Sequence, residues 1–73
     1  MRTLREWRVE RLKSVTTLAE AANITRKTLI DIEYGRRWPH YETIGKLSRA
    51  LDVEPQEVAE FAAAMKERGK EAA

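Results

Sequence analysis

The stretch TRKTLIDIEYGRRWP, residues 25–39, gathers the side chains best suited to chemistry in this chain. It offers two adjacent cations (Arg26, Lys27), a hydroxyl (Thr28) and a carboxylate (Asp31), then a second pair of cations (Arg36, Arg37). These groups carry charge and exchange hydrogen bonds, but none is a nucleophile with a base beside it. Arg26 and Lys27 stand where a helix begins, at the positive end of its macrodipole, which disfavours cations. Their presence there points to negative charge supplied from outside the chain.

Nothing else in the sequence assembles a catalytic constellation. There is one histidine, no cysteine, no glycine-rich phosphate loop and no converging carboxylate pair. An enzyme is therefore not expected, nor is a disulfide, a metal site, a cofactor or a small-molecule ligand. The apolar runs are too short to span a membrane and no secretory segment opens the chain, so the cytoplasm is the expected compartment. RNA binding is disfavoured because no platform of stacking aromatics is present.

The net charge of +2 hides an asymmetry. Residues 1–49 carry eleven Lys/Arg against six Asp/Glu, whereas residues 50–73 carry three against six. The split suggests an anion-binding body with a more acidic last helix.

The elements that must position these groups are five short helices, with no strand. The first is predicted over about Thr3–Leu12, with Leu4, Trp7 and Leu12 inward. Ser14 caps a second, Val15–Ala22, which buries Leu18, Ala19 and Ala22. Asn23 takes the left-handed conformation that ends it, Ile24 plugs the turn, and Thr25 caps a third helix, Arg26–Tyr34. On a helical wheel Leu29 and Ile32 share one face, Glu33 borders it, and Lys27, Ile30, Asp31 and Tyr34 lie opposite. Gly35 supplies the left-handed stop and Pro39 blocks any return. His40 stands at the cap of a fourth helix, Tyr41–Leu51, which Asp52 breaks. Pro55 opens a fifth, with Val58, Phe61, Ala62 and Met65 on one face and Gly69 at its end. The expected architecture is all-α: one compact five-helix domain over residues 1–68, followed by a frayed tail, 69–73.

The second and third helices are short, joined by a tight turn, and carry small residues where they must approach. That is helix-turn-helix geometry, over about residues 15–34, with the second helix free to enter a major groove. The segment LAEAANITRKTLIDIEYGRRWPHYETIGKLSRALDV resembles the Cro/repressor (Xre-type) helix-turn-helix family. The family pattern is met by Leu18, Ala19, Ile24, Thr25, Leu29, Ile32, Glu33, Gly35 and Pro39, and the resemblance runs from about Leu4 to Val58. It implies a lambda-repressor-like domain that binds double-stranded DNA.

Carried over position by position, the resemblance makes Arg26, Lys27, Thr28 and Asp31 the base-edge readers. Asp31 has two roles open to it, accepting from cytosine N4 or pairing with Lys27 one turn back. Phosphate contacts fall to Ser14, Thr16 and Thr17 at the start of the second helix, and to Tyr34, Arg36 and Arg37 after the third. Val15 stands where the family often has glutamine, and Ile30 where it has a polar residue. Trp38 replaces a usually polar loop residue; shielding the core, touching DNA and meeting a second subunit are all open to it. The resemblance further implies a partly buried ion pair, Arg8 with Glu33, bracing the third helix.

One such helix covers only a half-site, so the family's habit implies a homodimer on a palindromic operator, acting as a small transcriptional repressor. Phe61 and Met65 are the candidate dimer contacts, against the alternative that their stripe packs on the chain's own core. A rival reading makes the chain an antitoxin or adaptor that grips a protein partner through its last helix.

Overall fold

The computed structural model describes residues 1–72, with side chains through residue 67. Five α-helices follow in order: α1 Leu4–Glu10, α2 Val15–Ala22, α3 Arg26–Glu33, α4 Tyr41–Leu51 and α5 Ala59–Ala72. A single 3-10 turn, Pro55–Glu57, lies between α4 and α5, and no strand occurs among the described residues. The all-α expectation holds.

Each of the first three helices is started by a hydroxyl. Thr3 and Glu6 form a reciprocal capping box on α1, Ser14 accepts from the Thr17 amide, and Thr25 accepts from the Thr28 amide. His40 occupies the cap position of α4, but its side chain makes no capping hydrogen bond. Helix ends share one device. Leu12, Asn23, Gly35 and Asp52 all adopt positive φ, between 57° and 74°. At each, the amides of that residue and the next turn back onto the last helical turn, as Gly35 N–H to the Ile32 carbonyl (3.1 Å) and Arg36 N–H to the Asp31 carbonyl (2.8 Å). This paired arrangement ends the helix and reverses the chain within about two residues.

Leu12 departs from expectation for that reason. As the left-handed stop of α1 it is 93% exposed instead of buried. At the other end of the chain, Pro55 begins the 3-10 turn and not α5 itself. Val58 breaks the two apart in an extended conformation and forms a lone parallel bridge with Arg2, while the Ala59 amide donates to the Arg2 carbonyl at 2.9 Å. Gly69 does not stop α5, which continues to Ala72. A helical glycine costs only about 1 kcal/mol relative to alanine, which is not enough to end a helix. The last residue of the expected tail, Ala73, lies outside the described residues.

The core is one cluster drawn from all five helices, including Leu4, Leu18, Leu29, Ile32, Leu47, Leu51 and Phe61, with α2 packed on both α3 and α4. Side chains of this size contribute about 1.5–3 kcal/mol each on full burial. Trp7 packs against the cluster without being enclosed by it. The guanidinium groups of Arg2 and Arg11 lie over its ring, 4.9 and 5.1 Å from its centroid, and its Nε1–H donates to the Glu57 carbonyl at 3.0 Å. With Glu60 accepting from the Leu4 amide (2.7 Å) and Arg11 donating to the Leu51 carbonyl (2.9 Å), α1 is stitched to the ends of α4 and α5. The helix-turn-helix unit therefore sits on a braced frame.

Candidate nucleic-acid interface

Helix α3 is seated by Leu29 and Ile32, which are fully buried or nearly so. At eight residues it is about 12 Å long. Arg26 and Lys27 stand exposed at its leading end. Arg26 makes no ion pair or hydrogen bond among the described residues, so its guanidinium is available to a partner.

The remaining polar groups of α3 join the loop that follows. Lys27 Nζ donates to Asp31 Oδ2 at 3.1 Å, and Arg36 Nη1 lies 3.6 Å from Asp31 Oδ1. The Arg36 amide bound to the Asp31 carbonyl explains the second contact: the glycine-led stop at Gly35 folds residue 36 back over residue 31. A parallel chain runs from Thr25 Oγ1 to Thr28 Oγ1 (2.9 Å), with Arg37 Nη1 donating to Thr28 Oγ1 at 3.2 Å. Two strings of polar contacts thus lace the outer face of α3 to the loop beyond it.

Asp31 does not stand free on that face, as the helical wheel suggested. It is only 8% exposed, with Lys27 Nζ against one of its oxygens and Arg36 Nη1 against the other. The hydrogen bond from Lys27 holds its carboxyl below the usual aspartate value of 3.8, against the opposing effect of burial; the charges of Lys27, Arg37 and Arg36 act in the same direction as that bond. Of its two open roles, the structure displays the pairing with Lys27.

Ser14, Thr16 and Thr17 are exposed at the start of α2, although Ser14 also caps it and donates its hydroxyl to Thr17 Oγ1 at 2.9 Å. Tyr34 is exposed, with the Arg36 guanidinium over its ring at 5.2 Å. Ile30 is half-buried. Arg8 and Glu33 meet as the resemblance implied, Nε to Oε2 at 2.8 Å and Nη2 to Oε1 at 3.3 Å, both largely buried. Arg8 also donates to the Lys13 carbonyl at 3.0 Å, so the pair ties α1 and its stop to the end of α3.

Phe61 leaves the list of dimer contacts. It is completely buried in the chain's own core, packed in the cluster with Leu4, Val58 and Ala64; Met65 is half-buried. Trp38 is 56% exposed, which removes core shielding as its main role. It lines an open, mainly apolar groove between the Gly35–Pro39 loop and α5, together with Ile32, Pro39, Ala59 and Ala63. Sequence reading missed this groove, since its walls come from segments some 20 residues apart. It also missed the Arg37–Thr28 contact, which depends on the direction of the turn. The Thr25–Thr28 hydroxyl pair was legible in the capping spacing.

A family model described as helix-turn-helix matches residues 4–58, which includes all of α2, α3 and the loop that follows α3. No curated protein and no solved structure gives a significant match.

Proposed function

The chain belongs to the Xre/Cro-type helix-turn-helix family of DNA-binding regulators, and from that membership we propose sequence-specific binding of double-stranded DNA by insertion of α3 into the major groove. The observation that carries the reading is the cationic leading end of α3, with Arg26 unpaired and Lys27 exposed, on a helix whose other face is fully used in the core. Arg26 and Lys27 donate to guanine O6 and N7, and Thr28 borders them. Arg37, Tyr34 and the hydroxyls of Ser14, Thr16 and Thr17 meet phosphates and set the register.

The regulator acts as a homodimer on a palindrome, with half-sites about 34 Å apart, and represses by occupying its operator. Met65 and the groove beside Trp38 are the surfaces available for a second copy. The same exposed tryptophan favours one alternative, an antitoxin or adaptor whose partner is a protein.

Selection of bound duplexes from a random DNA pool at about 150 mM salt tests the proposal, since sequence-blind binding weakens steeply there. Enrichment of a palindrome with half-sites about one helical turn apart supports it. Recovery of no preferred sequence defeats the sequence-specific reading and turns attention to the groove.

A further inference from the structure

We propose that Asp31 determines specificity by restraint: it holds Lys27 and Arg36 back from phosphates and so suppresses sequence-blind binding to DNA. The inference rests on the DNA-binding reading above and adds a role for the carboxylate within it.

Each oxygen of Asp31 faces its own cation, Oδ2 towards Lys27 at 3.1 Å and Oδ1 towards Arg36 at 3.6 Å. The carboxylate lies low, with its side chain 11% exposed, beneath cations whose side chains are 84% and 66% exposed. Arg37, the third cation of the cluster, is held by Thr28 and also acts on Asp31 through its charge. Arg26 stands outside the network.

This arrangement treats phosphates and bases differently. A phosphate approaching Lys27 or Arg36 must either strip the cation from Asp31 or sit close to a second negative charge, at a range where salt screens little. A guanine edge is neutral and meets no such repulsion. An ammonium group has three N–H donors, so after one goes to Asp31 two remain, and these match the paired acceptors O6 and N7. Arg36, given a phosphate role from its position in the sequence, is restrained by the same carboxylate.

The test compares the full chain with its Asp31→Asn variant on two duplexes, the one recovered by selection and a shuffled duplex of equal length, across a range of salt concentrations. Asparagine keeps the shape and removes the charge. The shuffled duplex is expected to bind at least about tenfold more tightly at 0.1 M salt, with a salt dependence steeper by about one unit of slope for each released cation that gains a phosphate. The ratio of selected to shuffled affinity falls accordingly. In a Lys27→Gln/Arg36→Gln background the same substitution is expected to gain less than about threefold, since no cations remain to be released and only the repulsion is relieved.

Unchanged affinity and slope on the shuffled duplex overturn the inference while leaving DNA binding intact. Weaker binding overturns it too, because loss of the fold or of a brace lowers affinity, whereas release of two cations raises it. An equal gain in both backgrounds overturns the restraint of Lys27 and Arg36. A parent chain that binds neither duplex overturns the DNA-binding reading, and this inference with it.

Discussion

Arg8 of α1 and Glu33 at the end of α3 are joined by two hydrogen bonds, at 2.8 and 3.3 Å, with their side chains only 13% and 6% exposed. A charge buried this far is tolerated because its partner and the Lys13 carbonyl satisfy it. Removing one side, by Arg8→Ala or Glu33→Ala, is expected to cost about 3–5 kcal/mol in urea unfolding. The double change Arg8→Met/Glu33→Leu leaves no unpaired charge and is expected to recover most of that loss. A single variant as stable as the parent would show the pair to be solvated.

Two helix stops with similar φ respond in opposite ways to substitution. Gly35→Ala meets no atom within 4 Å of the new Cβ, so its cost is that of a non-glycine residue at φ +74°, about 1–2 kcal/mol. Leu12 already bears that strain at φ 57°, with its side chain in water. Leu12→Gly is expected to raise stability by about 0.5–1 kcal/mol, the relieved strain less the added freedom of the unfolded chain. Denaturant midpoints of the two variants should move in opposite directions.

Base reading and phosphate contact separate in the binding data. Lys27→Ala is expected to narrow the gap between selected and shuffled duplexes while leaving the fold intact, since one good base contact is worth about 1–3 kcal/mol of discrimination. Arg37→Ala is expected to weaken both duplexes alike and to flatten the salt dependence by about one unit of slope. An unchanged slope would remove Arg37 from the phosphate contacts.

Acid is expected to destabilise the fold in part through two carboxylates, Glu6 and Asp31. The Thr3 amide, and then the Thr3 hydroxyl, hold Glu6 below its ordinary value of 4.5, and Lys27 holds Asp31 below 3.8. In both, the folded value is the lower one, so between folded and unfolded values the unfolded chain binds more protons. Their contribution is complete at neutral pH and is lost as pH falls through the carboxylate range towards the folded values. Melting temperature is thus expected to decline below about pH 4.5. Glu6→Gln should lower it at neutral pH and make that acid decline shallower; an identical decline would exclude the capping box as a source.

Local signals made most of the fold legible. Ser14 and Thr25 before amphipathic runs marked two helix starts, and Asn23 and Gly35 marked two stops, because caps and left-handed turns act within four or five residues of chain. The family pattern carried the Arg8–Glu33 pair. Leu12 misled, since an apolar side chain reads as core unless the backbone beneath it is known to be left-handed. Phe61 misled for a related reason: its spacing was right for an apolar face, but spacing does not say whether that face meets the chain's own core or a second molecule.

The amino-acid chain alone was enough to give the all-α class, the order of the helices, the cations at the head of α3 and membership of a DNA-binding family. These depend on residue type and short-range periodicity, which any chain displays without being folded. Packing in three dimensions was needed to draw Asp31 beneath Lys27 and Arg36, to bring Arg37 to Thr28, and to set Trp38 in a groove with Ala59 and Ala63. Each of those contacts depends on the direction in which a turn sends the chain, and on packing between segments that no local rule connects.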